Sequence, residues 1–265
     1  MNHLRRELSP VLPEAYAQIE ARAREVLSLY FAARKLVDFD GPHGFALGAI
    51  PLGRTSEISV DDGAQARLRL NQPLLELRVP FELSLIELDN VARGADDLDL
   101  DAVAEAAQKL ALIEDRAVFY GVDAAGIEGM VPSSTHQPIP LASDFAQFPG
   151  QVSEAIARLH SAGVGGRYAI ALDSPSYSAL LRATGPGGYP ILQHIRKLVE
   201  GPVVFAPGLK GAIVISLRGD DFKLTVGQDA SIGYLSHDPQ TVKLYLEETL
   251  TFRVPGPEAV VALPR

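Results

Sequence analysis

The feature that most constrains this chain is a stretch near its C-terminus in which one face is fixed over many residues. Val242, Leu244, Leu246, Leu250, Phe252 and Val254 all fall on even numbers. That is the period-2 pattern of a strand with one buried face. Such a strand spans roughly 43 Å at ~3.3 Å per residue, much longer than usual in a compact enzyme sheet. Glu248 alone breaks the parity, so either a bulge turns it outward or a buried cation meets it. Just upstream, Phe222, Leu224 and Val226 alternate with Lys223 and Thr225, and a turn at Gly227-Gln228-Asp229 leads into a short apolar run from Ser231 to Leu235.

Earlier segments divide by period. Residues 1–12 read as an arm punctuated by Pro10, with Pro13 placed to open a helix. Tyr16, Ile19, Ala23, Val26 and Tyr30 keep helical spacing, Leu27 and Phe31 widen the stripe, and the helix is expected to end near Ala33-Arg34. Residues 43–80 are rich in turns, Asp61-Asp62-Gly63 among them. Alternating runs at Ile58–Val60 and Ala66–Leu70 predict an extended hairpin. A lone two-stranded ribbon is barely stable in water and calls for a surface to lie on. Leu74–Leu85 reads as a strand that Pro80 confines to an edge or a bulge. Residues 87–94 read as a transition to a long helix over Leu100–Tyr120, with Asp99 as its cap and Gly121 as its stop. Beyond lie a helix over Val152–Leu159, a buried strand over Tyr168–Leu172 and helices over Ser176–Leu181 and Ile191–Val199. Strands follow at Val203–Phe205 and Ala212–Leu217.

Little catalytic chemistry is written in the sequence. Cysteine is absent, which removes disulfides, thiolate metal sites and cysteine nucleophiles. The six histidines, 3, 43, 136, 160, 194 and 237, have no metal-ligand spacing, and no G-x-S-x-G elbow occurs. Gly163-Val164-Gly165-Gly166 follows a helix rather than preceding one, so a helix C-cap is expected there, not a phosphate loop. The acidic pairs Asp61-Asp62, Asp96-Asp97, Asp220-Asp221 and Glu247-Glu248 are expected to be solvated, Glu248 excepted. The formal charge of -9 argues against nucleic acid as a partner. No run reaches the ~18 apolar residues of a membrane span, and the N-terminus lacks the apolar segment of a secretory signal. The expectation is a non-enzyme without cofactor or metal.

Several collinear segments carry a resemblance. They include Arg22-Ala23-Arg24-Glu25, Arg34-Lys35-Leu36-Val37-Asp38 with Gly41-Pro42, and Glu87-Leu88-Asp89-Asn90 with Arg93-Gly94. Glu114-Asp115 with Phe119 and Gly121, Gly188-Tyr189-Pro190, and the closing block from Gly227 to Tyr234 complete the series. Together they resemble the family 1 encapsulin shell proteins, also called linocin-like or bacteriocin-like, over essentially the whole chain. The resemblance implies an α+β fold of the Hong Kong 97 phage-capsid type with peripheral domain, axial domain and extended loop. Residues 1–47 would be the arm and inner-face helix, 48–78 the extended loop, and 79–134 the peripheral domain with its spine helix. Residues 135–222 would be the axial domain and 223–265 the returning peripheral strands.

The resemblance further implies an icosahedral homo-oligomer, on the order of sixty copies in the simplest case. It would form a cytoplasmic nanocompartment around a cargo enzyme held by its C-terminal targeting peptide. A dye-decolourising peroxidase is the first expectation for that cargo and a ferritin-like iron-storage protein the second. Leu27, Tyr30, Phe31, Arg34, Asp38, Asp229 and Ile232 are the expected cargo-peptide groove, the apolar three chosen by helical phase. Gly185, Pro186, Gly187, Gly188 and Tyr189 are the expected pore loop. Ala33 stands where the family often has Gly, and Asp220 where a second Gly is usual. Some relatives bind flavin against a tryptophan near the pore-side strand; here Ile86 stands at that position and the chain has no Trp, so a flavin-free shell is expected. A phage or prophage major capsid protein is the alternative, with a bacteriocin or peptidase behind it.

Overall fold

The computed structural model describes residues 3–61 and 64–265; Asp62 and Gly63 of the expected Asp61-Asp62-Gly63 turn, and the first two residues of the arm, lie outside them. In chain order, α1 (Pro13–Tyr30) is followed by a 3-10 turn (Ala33–Lys35) and the short β1 (Asp38–Asp40). A ribbon of β2 (Ala49–Ile58) and β3 (Ala66–Pro73) leads into β4 (Leu75–Ser84), α2 (Leu85–Ala92) and α3 (Asp101–Tyr120). Then come the two-residue strands β5 (Gly121–Val122) and β6 (Ile127–Glu128), and the single turn α4 (Met130–Ser133). Next are α5 (Phe148–Ser161), β7 (Tyr168–Leu172), α6 (Ser174–Arg182), α7 (Ile191–Val199), β8 (Glu200–Phe205) and β9 (Ala212–Ser216). The chain closes with β10 (Lys223–Val226), β11 (Ser231–His237), β12 (Thr241–Arg253) and β13 (Val260–Leu263).

The long strand foreseen from parity is β12, and the first sheet is built around it. On one side β4 pairs with it antiparallel without a break, from Thr241 opposite Ser84 to Leu250 opposite Leu75. On the other side β11 covers its first half and β10 its second, with β1 parallel to β10. Pro80 sits opposite Tyr245 in unbroken register; β4 is an outer strand, where a missing N–H does not interrupt a ladder. Because no bulge lies in that stretch, the parity break at Glu248 is met by a cation instead. β12 buries both faces, Tyr245, Glu247, Thr249 and Thr251 included, so it is a central strand rather than a half-exposed one.

The second sheet has the order β13-β9-β7-β8. Every residue of β7 and β9 is buried, as expected for strands covered on both faces. Within the expected 223–265 segment, β10, β11 and β12 belong to the first sheet and β13 pairs with β9 in the second, from Val260 opposite Ile215 to Leu263 opposite Ala212. The run is too short for its period to have marked it.

Helix α3 ties the two halves together. Val103, Ala106, Ala107, Leu110 and Ala111 pack with α1, β4, β11 and the start of β12; Ala117, Val118 and Phe119 pack into the core of the second sheet. The cap position is Leu100 rather than the expected Asp99, which stands one residue earlier with its Oδ1 accepting the Asp101 N–H at 3.1 Å. Gly121 ends it at φ 84°, where a Cβ would stand 2.4 Å from the Ile127 carbonyl oxygen. Most of the stretch 87–94, expected as a transition, lies in the helix α2, with Leu88 buried. Helix α5 starts at Phe148, ahead of the expected Val152, with Pro149 in its first turn, where proline fits. It ends before Gly163, whose N–H reaches the His160 carbonyl at 2.9 Å, so the glycine run closes a helix as expected.

Helix α1 stops at Tyr30, one turn before the expected Ala33-Arg34. The carboxylate of Asp115 on α3 accepts the Ala33 N–H at 2.9 Å and the Ala32 N–H at 3.1 Å. Those amides would otherwise continue the helix, and a carboxylate is the stronger acceptor.

Candidate functional site

Between the two cores lies a polar seam with Arg34 at its centre. Its Nε donates to Glu114 at 2.9 Å, and Nη2 donates to Glu114 at 2.7 Å and to Glu248. Nη1 donates to Asp229 at 3.0 Å. The guanidinium also lies 3.8 Å from the ring centre of Phe31 and 4.9 Å from that of Phe39, a cation–π sandwich. Arg34 is thus the cation that Glu248 required. Sequence distance hid it: the two residues are 214 positions apart.

The seam perturbs its own titrations. Burial works against the charge of Arg34, yet the Glu114 hydrogen bond and the charges of Glu114, Glu248 and Asp229 hold its pKa above the ordinary value. Burial and the neighbouring Glu114 push Glu248 well above the carboxylate range, against the pull of Arg34. Asp115 rises to about 7, chiefly by burial; the amides of Ala33 and Ala32 oppose the shift and Glu114 adds to it.

Two other acids expected to be solvated are buried. Glu247 meets Arg78 Nε at 2.6 Å and His3 at 3.1 Å, and Asp221 is held by Arg218 through two hydrogen bonds of 2.7 and 2.8 Å. Asp61, Asp96, Asp97 and Asp220 are exposed.

Beside the seam a groove of about 410 Å³ runs between α1 and the 229–232 segment that opens β11. Leu27, Phe31 and Arg34 line one wall, Asp229 and Ile232 the other. These five are the expected residues that the fold brings together. Tyr30 packs instead against the core between α1 and α3. The helix ends there and Phe31, at ψ 86°, turns into the groove alone. Asp38 is on β1, outside the groove, where its Oδ2 accepts the Asp220 N–H at 2.6 Å. Sequence reasoning missed Glu20, Ala23, Arg24 and Ser28, which continue the Leu27 and Phe31 face of α1 and were legible in the helical phase. It also missed Arg6 and Leu246. Arg6 reaches in from the arm, its Nε donating to the Ile232 carbonyl at 2.6 Å and its Nη1 to Glu20, and no periodicity announces it.

The expected pore loop is an exposed turn between α6 and α7. Gly185 N–H donates to the Tyr189 carbonyl at 2.8 Å, and Gly187 and Gly188 adopt φ of 72° and 77°, values that favour glycine. The Tyr189 ring is 46 % exposed, with Lys197 Nζ 5.4 Å from its centre. Ile86 is an exposed residue of α2. Among the described residues no His, Asp and Glu side chains cluster as a metal site, and no helix is long and apolar enough to cross a membrane.

The family model described as "Encapsulating protein for peroxidase" matches residues 1–251. A type 1 encapsulin shell protein of Rhodospirillum rubrum is 50% identical over 99% of this chain and 96% of its own length. The chain belongs to this encapsulin family. Type 1 encapsulin shell proteins of Mycolicibacterium paratuberculosis and Mycobacterium tuberculosis are 46% and 43% identical, each over 99% of both chains. Among solved structures, a virus-like particle from Pyrococcus furiosus aligns with a TM-score of 0.67 over 94% of this encapsulin and 99% of that chain, at 15% identity. The capsid of an empty GTA particle aligns at 0.52 over 88% and 89%. These similarities establish the Hong Kong 97-type capsid fold, and the expected α+β class holds.

Proposed function

We propose that this encapsulin assembles in the cytoplasm into a closed icosahedral shell, on the order of sixty copies in the simplest case. The shell encloses an enzyme whose C-terminal peptide docks in the groove between α1 and β11. The observation that carries the docking is the convergence of Leu27 and Phe31 with Ile232 in an open cleft of mixed polar and apolar lining, flanked by the ion-paired Arg34 and Asp229. An extended tail can seat aliphatic side chains there while the charged groups fix its register. Relatives named as shell proteins over their full length support the assembly. The family's description names a peroxidase and so supports that class of cargo; a dye-decolourising peroxidase is the first cargo to try, with a ferritin-like iron-storage protein second.

Phe31→Asp tests the docking. With cargo co-expressed, the variant is expected to form shells of normal size that lose most of their cargo, read by sedimentation and by mass spectrometry of the purified particle. Equal cargo in variant and wild-type shells would contradict it.

A further inference from the structure

The polar side chains of the groove satisfy one another, with one exception. Asp229 is engaged by Arg34 and by the Ala230 N–H at 2.9 Å. Ser28 Oγ donates to the Glu25 carbonyl at 2.8 Å, and Ser231 Oγ donates to the Asp229 carbonyl at 2.7 Å while accepting from Gln228. All three nitrogens of Arg34 are taken within the seam. Arg24 lines the groove and is exposed, and among the described residues it makes no hydrogen bond or ion pair.

The reason is local. Glu20 stands four residues before Arg24 on α1, the favourable order for an i, i+4 pair. Its carboxylate is drawn away by Arg6 from the arm. Glu25 is likewise taken, by Arg22 at 2.9 Å. One uncommitted charge therefore remains in the groove, and it is positive, in a chain of net charge -9.

We propose that Arg24 is a specificity-determining residue: the docked tail presents an Asp or Glu side chain to it, while an aliphatic neighbour seats among Leu27, Phe31, Ile232 and Leu246. The inference rests on the docking of a peptide in this groove. A guanidinium takes a carboxylate through paired, charge-assisted hydrogen bonds that a carboxamide makes more weakly. Tails with an acid at the position facing Arg24 are therefore selected over those with Asn or Gln.

The test co-expresses the shell with a fluorescent reporter bearing a short randomised C-terminal tail. Tails retained in protease-treated, purified particles are sequenced by mass spectrometry. Wild-type shells are expected to enrich Asp or Glu over Asn or Gln about threefold to tenfold at one position relative to the aliphatic anchor. Arg24→Gln erases that preference and Arg24→Glu turns it toward Lys or Arg, with particle yield unchanged. No acidic enrichment in wild-type shells, or the same enrichment with Arg24→Glu, would overturn the inference. The docking itself is read separately. If Phe31→Asp abolishes tail selection while Arg24→Glu leaves it unchanged, only the role of Arg24 fails. If Phe31→Asp leaves the selected tails unchanged, the groove is not the docking site and both fail.

Discussion

β12 and the β2–β3 ribbon are made of the same kind of backbone pairing and differ in almost everything that stabilises it. β12 is flanked by β4 on one side and by β10 and β11 on the other, and most of its residues are buried. The ribbon has a partner strand and no second layer. Ile50 and Gln72 are buried near its base, while Ile58 and Leu68 toward its tip are 47 % and 55 % exposed. A two-stranded sheet of that kind is marginal by itself, and apolar side chains held in water are surface waiting for a neighbour. The body of the chain thus buries its own apolar faces, and the ribbon leaves its apolar tip exposed.

The sharpest way to break that contrast is to make the ribbon polar. Ile58→Asp combined with Leu68→Asp is expected to abolish shell assembly, shifting the sedimenting species from a particle to a small oligomer or protomer. The circular dichroism spectrum should stay close to wild type, since neither residue belongs to a core. Intact shells from this variant would show that the ribbon is dispensable.

A smaller effect is expected in the seam. In the unassembled ribbon variant, Arg34→Ala leaves Glu114 and Glu248, both fully buried, without their cation. Removing one partner of a buried pair costs about 3–5 kcal/mol, read as a lower midpoint in urea. Arg34→Lys should recover part of the loss, since an ammonium cannot serve three carboxylates with the geometry of a planar fork. A midpoint unchanged in Arg34→Ala would mean that the two cores hold together without the seam.

The smallest effect is in pH dependence. The Asp115 carboxyl is raised from 3.8 to about 7, so the folded chain holds a proton that the unfolded chain releases. Its contribution is therefore fully present below pH ~4 and is lost as pH rises through ~7, by up to about 4 kcal/mol. Asp115→Asn keeps an oxygen for the amides of Ala32 and Ala33 and removes the titration. Its stability should change less between those pH values than that of its parent, measured by urea unfolding across that range. An identical pH profile in both would assign the dependence to other groups.

Periodicity made much of the fold legible. Even-numbered apolar residues announced β12, and helical spacing announced α1 and α3, because both patterns come from burial along one element. What it missed depends on contacts between distant elements. Helix α1 ends at Tyr30 because Asp115 takes its next amides, and that misplaced Tyr30 in the expected groove. Parity marked Glu248 as needing a bulge or a cation, but nothing local pointed to Arg34. Glu247 looked solvated because Arg78, which holds it, lies on another strand; Asp221 is the local exception, held by Arg218 three residues before it in a bend without a period. Arg6 belongs to an arm with no period at all, and its diversion of Glu20 is visible only once the arm is folded back against β11.

Electron microscopy of the wild-type protein, purified alone from a heterologous host, tests the central claim most directly. Uniform closed spheres free of nucleic acid are predicted. A monodisperse small oligomer under the same conditions would contradict the shell and leave the exposed ribbon unexplained.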